Sequence, residues 1–389
     1  MSHALFVTWD GPETAYLEGL FFPLFAAMAA LGTRVDVLQF TWGDAVPRRV
    51  EAASRYGVSY RAVRAPRGGA IGTAWVLARG PSAIQAEMRR SGAQILYPRS
   101  LLPLAVALRA RRDHRLVFDA DGLVADERID FAGWRRDGPA VGWLRAIEAR
   151  GIREADRVIT RTMRAREILL ARGGAGVPAD RVVAIGNGKD IATFEPGTAL
   201  ERASFRSAHG VPVDAPWAIY CGSIGPQYHL DEMLAFHAVA AAIRPDARLT
   251  LLTRAPLAID QAGVEVVAAP TDDIPRWLAA ADLGLAWRTP TFSMAGVCPI
   301  KVAEYLLAGL PVLANTGVGD LDALLQPPET LLLPNLSARQ IERAARWWLD
   351  DAIPNRDPLR VAARRAGVDL FGLAAVATAT AAVLEGAMA

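Results

Sequence analysis

The stretch CPIKVAEYLLAGLPVLAN, residues 298–315, holds one complete helix-to-strand unit and indicates the fold class. Pro299 suits the first turn of a helix, because its missing N–H has no intrahelical partner there. Gly309 suits the position just beyond the last helical residue, and Pro311 opens the apolar run PVLAN. The stretch therefore predicts a mostly buried helix over 299–308, followed by a buried strand over 311–315.

The same alternation of short apolar strands and longer helices fills the rest of the chain. Thirteen strands are predicted, at 5–9, 34–40, 60–65, 95–98, 115–120, 157–160, 181–185, 217–223, 248–253, 264–269, 283–287, 311–315 and 330–334. Continuously apolar strands that are each followed by a helix are typical of parallel sheets covered on both faces. We therefore predict an α/β chain of two doubly wound, Rossmann-like domains that face a cleft.

One turn-rich stretch, GNGKDIATFEPG at 186–197, separates the two series of strands and helices. The length of 389 residues also favours two domains, because single cores stop growing at about 250–300 residues. We predict an N-terminal domain over 1–187 and a C-terminal domain over 188–365. After the polar break AIPNRDP, a last helix within 366–389 is expected to pack back on the N-terminal domain.

The charge is unevenly divided, although the net charge is only +2. Residues 1–195 carry 28 basic and 21 acidic side chains, whereas residues 196–389 carry 15 and 20. A basic half favours an anionic partner, and an anionic membrane is simpler than nucleic acid, because no basic motif interleaved with aromatic residues occurs. The helix within 97–115 is either buried with a basic C-terminal end or a surface helix that docks on anionic lipid.

Three further features bear on location. The chain has only two cysteines, and its N-terminus has no signal-peptide pattern. No apolar stretch reaches the roughly 18 residues that a membrane span needs. We expect a cytoplasmic protein that is at most peripheral to the inner face of the membrane.

Lysine is rare in this chain: among 43 basic residues, only Lys189 and Lys301 are lysines. Lys301 falls in the first turn of the predicted helix, where the helix dipole disfavours a cation by roughly 0.3–1 kcal/mol. Glu304 follows three residues later on the same face, so a solvated ion pair is one interpretation. The other is that an anion binds at the helix N-terminus and that Lys301 completes its site.

A second anion-binding element is predicted in IYCGSIGPQYHLDEML, residues 219–234. This stretch indicates a strand, a glycine-containing loop and a helix opened by Pro226. Gly222 would let the backbone approach a ligand closely, and the N–H groups of 222–225 would point toward it. Both elements follow strands of one domain, and ligands of such sheets bind at the carboxyl ends of the strands.

Several motifs are missing from the sequence. It has no GxxxxGK[ST] motif, no complete GxGxxG motif and no cluster of His and Cys. These absences argue against a P-loop enzyme, a nicotinamide dehydrogenase and a metal-centred enzyme.

These blocks resemble the retaining GT-B glycosyltransferases, in particular family 4, which serves bacterial polysaccharide and glycolipid biosynthesis. KVAEYLLAGLPVLAN resembles the Lys-x-x-Glu-Tyr-x-x-x-Gly-x-Pro-Val donor motif of that family. IGNGKDIATFEP resembles its Asn-Gly-Val-Asp…Phe-x-Pro interdomain motif, and GSIGPQYHLDEML its first C-domain loop and helix. The likeness covers nearly the whole chain.

The resemblance implies roles for residues of the C-terminal domain. Lys301 would contact the donor diphosphate, and Glu304 would contact the ribose hydroxyls. The backbone of Gly222 and Ser223 would face the phosphates. The turn at Pro270, Thr271 and Asp272 would lie near the base.

In the N-terminal domain, the resemblance implies that the loop Asp10–Thr14, which contains Gly11, lies beside the reacting sugar. Asp121 would lie near the anomeric carbon. Asp121 or Asp119 would orient the acceptor hydroxyl, or either would only cap the next turn. Glu13 is better explained as an acid in the first turn of a helix.

The sequence departs from the family pattern in two ways. The first Glu of the usual Glu-x7-Glu falls on Gly296, and the loop after Gly222 lacks the Arg and Lys of many relatives. Arg254 or Arg288 is a candidate replacement for those cations. His229 would touch a phosphate or be a solvated helix residue, and Lys189 would close on the donor or be a linker side chain.

The function that this resemblance implies is transfer of a sugar from a UDP- or GDP-linked donor to a glycan or lipid-linked acceptor. The reaction would retain anomeric configuration and use neither a metal nor a separate cofactor. Asp121, Lys301 and Glu304 are the expected catalytic residues. Two alternatives remain open: a GT-B nucleotide-sugar epimerase and a non-catalytic GT-B-like binding or scaffold protein.

Overall fold

The computed structural model describes residues 2–388, which form parallel sheets and the helices between their strands. The strands are β1 (His3–Trp9), β2 (Arg34–Thr41), β3 (Tyr60–Arg64), β4 (Ile95–Pro98), β5 (Arg115–Asp121), β6 (Arg157–Thr160), β7 (Val182–Ala184), β8 (Trp217–Cys221), β9 (Arg248–Leu252), β10 (Val264–Val267), β11 (Leu283–Ala286), β12 (Val312–Asn315) and β13 (Thr330–Leu333). Each of the thirteen predicted strands is thus confirmed, with ends that differ by at most two residues.

The α-helices follow the strands. They are α1 (Phe22–Ala30), α2 (Val46–Arg55), α3 (Ala70–Ser91), α4 (Leu101–Ala110), α5 (Val124–Ala132), α6 (Pro139–Glu154), α7 (Met163–Gly173), α8 (Ala199–Ala208), α9 (Leu230–Ile243), α10 (Ile274–Ala280), α11 (Ile300–Leu307), α12 (Leu321–Leu324), α13 (Ala338–Arg346), α14 (Arg356–Phe371) and α15 (Leu373–Gly386). Short π- and 3₁₀-helical turns lie at Leu17–Phe21, Ala179–Arg181, Thr271–Asp273, Phe292–Gly296 and Trp347–Ala352.

The strands form two parallel sheets, each doubly wound. The first sheet has seven strands in the order β3-β2-β1-β4-β5-β6-β7, and the second has six in the order β10-β9-β8-β11-β12-β13. All pairs in both sheets are parallel, as the apolar strands predicted. The order reverses between β1 and β4 in one sheet and between β8 and β11 in the other, which is where ligands of such sheets bind.

The chain divides into two compact units, one around each sheet. The first unit comprises the chain up to Gly188, the short segment Phe292–Val297 and the chain from Leu373 onward. The second unit comprises Lys189–Thr291 and Cys298–Gly372. The last helix of the first unit therefore begins at Leu373, not at 366.

The predicted polar break AIPNRDP holds a turn at 353–355, between the π-helical turn Trp347–Ala352 and α14. The helix that follows this break is α14, which begins at Arg356. Helix α14 then continues to Phe371 within the second unit. Two other helices, α5 and α8, lie in stretches where the sequence predicted none.

Each unit has its own hydrophobic core. In the first, Leu5, Val7, Leu96 and Phe118 are buried against the surrounding helices. In the second, the core includes Ala218, Leu285 and Leu313 from three neighbouring strands. The strands carry nearly continuous runs of apolar residues because both faces of each sheet are covered.

Helix α4 settles the two interpretations of the stretch 97–115. Seven of its ten residues are buried, among them Leu101, Leu104 and Val106. Its apolar face belongs to the core of the first unit, so the interpretation as a surface helix that docks on lipid is wrong for that face. In the part of the chain that the structure describes, no helix has the length and apolar character needed to cross a membrane.

Candidate functional site

The loop after β8 and the first turn of α11 come together at the point where the second sheet reverses its strand order. Gly222 has a φ of +147°, a conformation that favours glycine. A Cβ atom at this position would lie 2.1 Å from Cε and 2.3 Å from Nζ of Lys301. The Lys301 side chain therefore fills the space beside Gly222, and the two residues are close together as the sequence predicted.

The Lys301 ammonium lies among aromatic groups. Its Nζ atom lies 4.4 Å from the ring centroid of Tyr220 and 4.3 Å from that of Tyr228, and it donates a hydrogen bond of 2.7 Å to the Tyr220 hydroxyl. Within residues 2–388, no carboxylate lies within 4.0 Å of this ammonium. Aromatic faces attract a cation but leave its charge uncompensated, so the site favours an anion.

The pKa of Lys301 reflects this environment. Burial is the main cause that lowers the pKa to about 7, and the Arg288 guanidinium lowers it further. Arg288 lies 4.8 Å from the ring centroid of Tyr228, on which Lys301 also packs. A bound phosphate would favour the protonated form of Lys301, because an opposite charge stabilises the ammonium.

Tyr220 links the lysine to the loop backbone. Its hydroxyl donates a hydrogen bond of 2.5 Å to the carbonyl oxygen of Ser223 and accepts one from Lys301. The Ser223 side chain is exposed. Sequence reasoning missed Tyr220, although an aromatic residue two positions before a loop glycine was a signal that could have been used.

Glu304 does not pair with Lys301. Its Oε1 atom lies 2.7 Å from Nζ of Lys189, and the two side chains are only 14% and 11% exposed. The interpretation of Lys301 and Glu304 as a solvated ion pair is therefore wrong. Lys189, which was also explained as a linker side chain, instead contacts the helix that carries the donor motif.

The turn that was expected to lie near the nucleotide base is at the surface of the second unit. Pro270, Thr271 and Asp272 are exposed, and the last two belong to a 3₁₀ turn. Arg254 is also exposed and donates a hydrogen bond of 3.1 Å to the Thr271 hydroxyl. Of the two candidate cations, Arg288 is the one that the structure places against the aromatic rings around Lys301.

His229 caps the loop after β8. It has a left-handed φ of +55°, and its Nδ1 atom lies 3.2 Å from Glu232. Its Nε2 atom lies 3.2 Å from the hydroxyl of Thr289. These contacts explain His229 as a residue that shapes the loop.

In the first unit, the loop after β1 is held by a buried arginine. Arg49 is 1% exposed and donates hydrogen bonds of 2.6 Å and 3.1 Å to the carbonyl oxygens of Gly11 and Thr14. Two carbonyl oxygens bound to one guanidinium fix the backbone of this loop. Glu13, at its tip, is exposed.

Asp121 lies at the carboxyl end of β5 with a left-handed φ of +61°, which is unusual for a residue other than glycine. Its carboxylate accepts a hydrogen bond of 2.6 Å from Arg99, whose guanidinium also lies 3.7 Å from Asp10. Asp119 is fully buried, pairs with Arg161 and accepts from the Asp121 N–H. Asp119 is therefore a structural residue, and Asp121 is the partly exposed carboxylate of the pair.

Gly296, where the family pattern has a glutamate, is closely packed against its neighbours. A Cβ atom at Gly296 would lie 3.0 Å from the Leu123 nitrogen and 3.3 Å from the Gly122 Cα atom. The segment Phe292–Val297 belongs to the first unit, where the Ala295 carbonyl accepts a hydrogen bond of 2.6 Å from Thr162. A side chain at position 296 would therefore require Gly122 and Leu123 to shift by a few tenths of an ångström.

Among the residues that the structure describes, no three or more His, Cys, Asp or Glu side chains are grouped so as to hold a metal ion.

Comparison with known proteins gives one family match. Residues 23–193 match the model of Glycosyltransferase Family 4. No curated protein sequence matches the chain significantly.

Three solved structures show the same fold. HepE from Anabaena, solved with UDP-glucose, has a TM-score of 0.72 and 15% identity, over 99% of this chain and 100% of that one. Sucrose-phosphate synthase from Thermosynechococcus elongatus has a TM-score of 0.72 and 19% identity, over 99% and 98%. WaaG, a glycosyltransferase involved in lipopolysaccharide biosynthesis, has a TM-score of 0.68 and 16% identity, over 98% and 99%. The chain thus has the GT-B fold, and the resemblance to family 4 glycosyltransferases that its sequence predicted is confirmed.

Proposed function

We propose that the protein is a glycosyltransferase that moves a sugar from a nucleotide-sugar donor to a glycan or lipid-linked acceptor. The observation that carries this proposal is the half-buried Lys301 side chain, which packs against Gly222 and two aromatic rings at the start of α11. The HepE structures that hold UDP, or UDP-glucose, support UDP as the first nucleotide to test, with GDP beside it.

The chemistry at Lys301 follows from where charge develops. As the bond between the sugar and the diphosphate breaks, negative charge grows on the leaving phosphate. Lys301 and the positive end of the α11 dipole would stabilise that charge in a site with little water. This assigns leaving-group stabilisation to Lys301 and, through the family resemblance, ribose binding to Glu304.

We propose that residues of the first unit bind the acceptor. The Asp121 carboxylate, held by Arg99, would accept a hydrogen bond from the acceptor hydroxyl and orient it. In the retaining course that the resemblance implies, the leaving phosphate takes the acceptor proton on the face from which it departs. The proposed reaction needs no metal, so EDTA should leave the rate of diphosphate release unchanged.

The first experiment is a thermal unfolding screen with UDP, GDP, ADP and their sugar conjugates. One nucleoside diphosphate, at about 100 times its Kd, should stabilise the protein by about 2.7 kcal/mol and raise Tm by several degrees. Lys301→Ala should lose most of this shift, whereas Arg343→Ala, an exposed change on α13 of the same unit, should keep it. If no nucleotide raises Tm, the donor site is refuted.

Product assays then separate the alternatives. Diphosphate release that increases with a glycan or lipid-linked acceptor supports transfer. Diphosphate release or donor isomerisation at a rate that does not depend on the acceptor would favour an epimerase. Nucleotide binding without any turnover would favour a non-catalytic binding protein.

We also propose a peripheral contact with anionic lipid, on a groove that only partly overlaps the expected stretch 97–115. A groove of about 270 Å³ in the first unit is lined by apolar side chains, among them Leu77, Leu108 and Trp143, and by Arg109 and Arg150. Apolar and basic side chains together suit the interface of an anionic bilayer. Trp143→Ser with Arg109→Glu should abolish sedimentation with phosphatidylserine vesicles but leave nucleotide binding unchanged.

A further inference from the structure

Both lysines of this arginine-rich chain lie against one helix. Lys301 is in the first turn of α11, and Lys189 binds Glu304 one turn later. In sequence the two lysines are 112 positions apart, and Lys189 stands where the family motif has valine. The second lysine therefore adds a charge to a site where the motif has an apolar side chain.

Glu304 has two possible basic partners within the second unit. Residues three apart on a helix are neighbours, so the Glu304 carboxylate is within reach of Lys301 as well as Lys189. In the structure its Oε1 atom lies 2.7 Å from Lys189, and Lys301 instead contacts Tyr220 and Tyr228. The carboxylate is thus held away from the lysine that the diphosphate would need.

Lys189 is well placed to hold the Glu304 carboxylate, because the backbone of Lys189 is fixed. Its N–H donates a hydrogen bond of 2.8 Å to the carbonyl oxygen of Phe371 at the end of α14, and it forms a parallel bridge with Gly372. Its Nζ atom also lies 5.6 Å from the ring centroid of Phe194. The position of this ammonium is therefore set by the second unit itself and not by a free linker.

We propose that Lys189 is a positioning residue for diphosphate binding: it binds Glu304 and so prevents the carboxylate from pairing with Lys301. The inference rests on the proposed donor site at Lys301. Without Lys189, the half-buried Glu304 carboxylate would be free to pair with Lys301, which precedes it by three residues on α11. That ion pair would compete directly with the phosphates for the same ammonium.

Inorganic pyrophosphate is the sharpest probe, because it contacts no ribose site. Its Kd would be measured by calorimetry for the wild type, Lys189→Met, Glu304→Gln and the double variant. Lys189→Met should weaken binding about tenfold, because Glu304 then pairs with Lys301. Glu304→Gln should bind at least as tightly as the wild type, and the double variant should return to within about twofold of it.

The double variant distinguishes positioning from a merely structural role. If Lys189 only supports the fold, the double variant will bind pyrophosphate as weakly as Lys189→Met, and the proposal is refuted. Equal binding by the wild type and Lys189→Met refutes it too. If Lys189→Met does not fold, Lys189→Arg keeps the charge and should bind within about threefold of the wild type, and weaker binding overturns the proposal.

The wild type separates this inference from the proposed function. A wild type that binds UDP but not pyrophosphate overturns the role of Lys189 and leaves the glycosyltransferase proposal in place. A wild type that binds neither overturns both.

Discussion

At the scale of single residues, the candidate donor site depends on the contrast between Gly222 and Lys301. A side chain at position 222 would occupy the space that the lysine stem fills. An arginine at position 301 would bring a wider, planar head group into the same narrow space between Tyr220 and Tyr228. This explains why a chain with almost only arginine keeps a lysine here.

The protonation of Lys301 gives a prediction at this scale. Its pKa of about 7 is below the ordinary value of 10.5, so between these values the unfolded chain binds more protons than the folded one. Stability without nucleotide should therefore rise as pH increases from about 7 to 10.5. Affinity for UDP should fall over the same range, by up to tenfold per pH unit, because the ammonium is lost.

NMR can measure this directly, since the chain has only two lysines. Protein labelled with ¹³C-lysine should give two ε-methylene signals, and the one missing in Lys301→Met belongs to Lys301. That signal should titrate near pH 7, and UDP should move its midpoint upward. A midpoint near 10.5 without nucleotide would contradict the burial that the structure shows.

At the scale of elements, α8 and α14 show how a polar sequence can build a buried interface. Helix α8 begins with a capping box between Thr198 and Glu201. Arg206 on α8 and Arg356 on α14 both bind Asp282, which is 4% exposed and follows α10. No helix was predicted over 199–208. In the sequence its arginines are typical of a solvent-exposed stretch, because nothing local indicates that they bind a buried aspartate.

The Asp282 cluster predicts a large loss of stability on mutation. Asp282 accepts from Arg202 at 3.0 Å, from Arg206 at 2.6 Å and from the Trp217 N–H at 2.9 Å. Asp282→Ala would leave buried guanidinium groups without their counter-charge, which costs about 3–5 kcal/mol.

The matched control is Asp350→Ala, an exposed aspartate of the same unit. Thermal unfolding should show a lower Tm for Asp282→Ala and almost no change for the control. Equal midpoints for the two variants would mean that Asp282 does not hold α8 and α14 in place.

At the scale of the whole molecule, the first unit is built from three separate parts of the chain. Its sheet uses residues before Gly188, but α15 returns from the C-terminal end and packs on α1. The Thr33 hydroxyl donates a hydrogen bond of 3.1 Å to Glu385 on that helix. The buried face of α15 includes Thr380, Val383 and Leu384.

A fragment of residues 1–188 tests this arrangement. Without α15 it would expose Leu24 on α1, which lies beside Leu373 and Val376, and it would also lose the segment Phe292–Val297. We expect it to unfold at a lower temperature than the full chain, with strong binding of the dye ANS. Addition of a peptide covering 373–389 should raise the midpoint, and a fragment that melts cooperatively at the temperature of the full chain would contradict the prediction.

The sequence by itself determined the strands, the parallel sheets and the pairing of Gly222 with Lys301. The strands and the parallel sheets follow from apolar runs and helix ends, which one stretch of chain carries. Gly222 and Lys301 lie far apart in the chain, and they were expected to meet because each follows a strand of the same parallel sheet. Only the tertiary structure decided that Glu304 binds Lys189, that Asp121 binds Arg99 and that Gly296 packs on Gly122. The partners in these pairs lie between 22 and 174 positions apart, and no local pattern specifies which of several charged or small residues will meet once the sheets have formed.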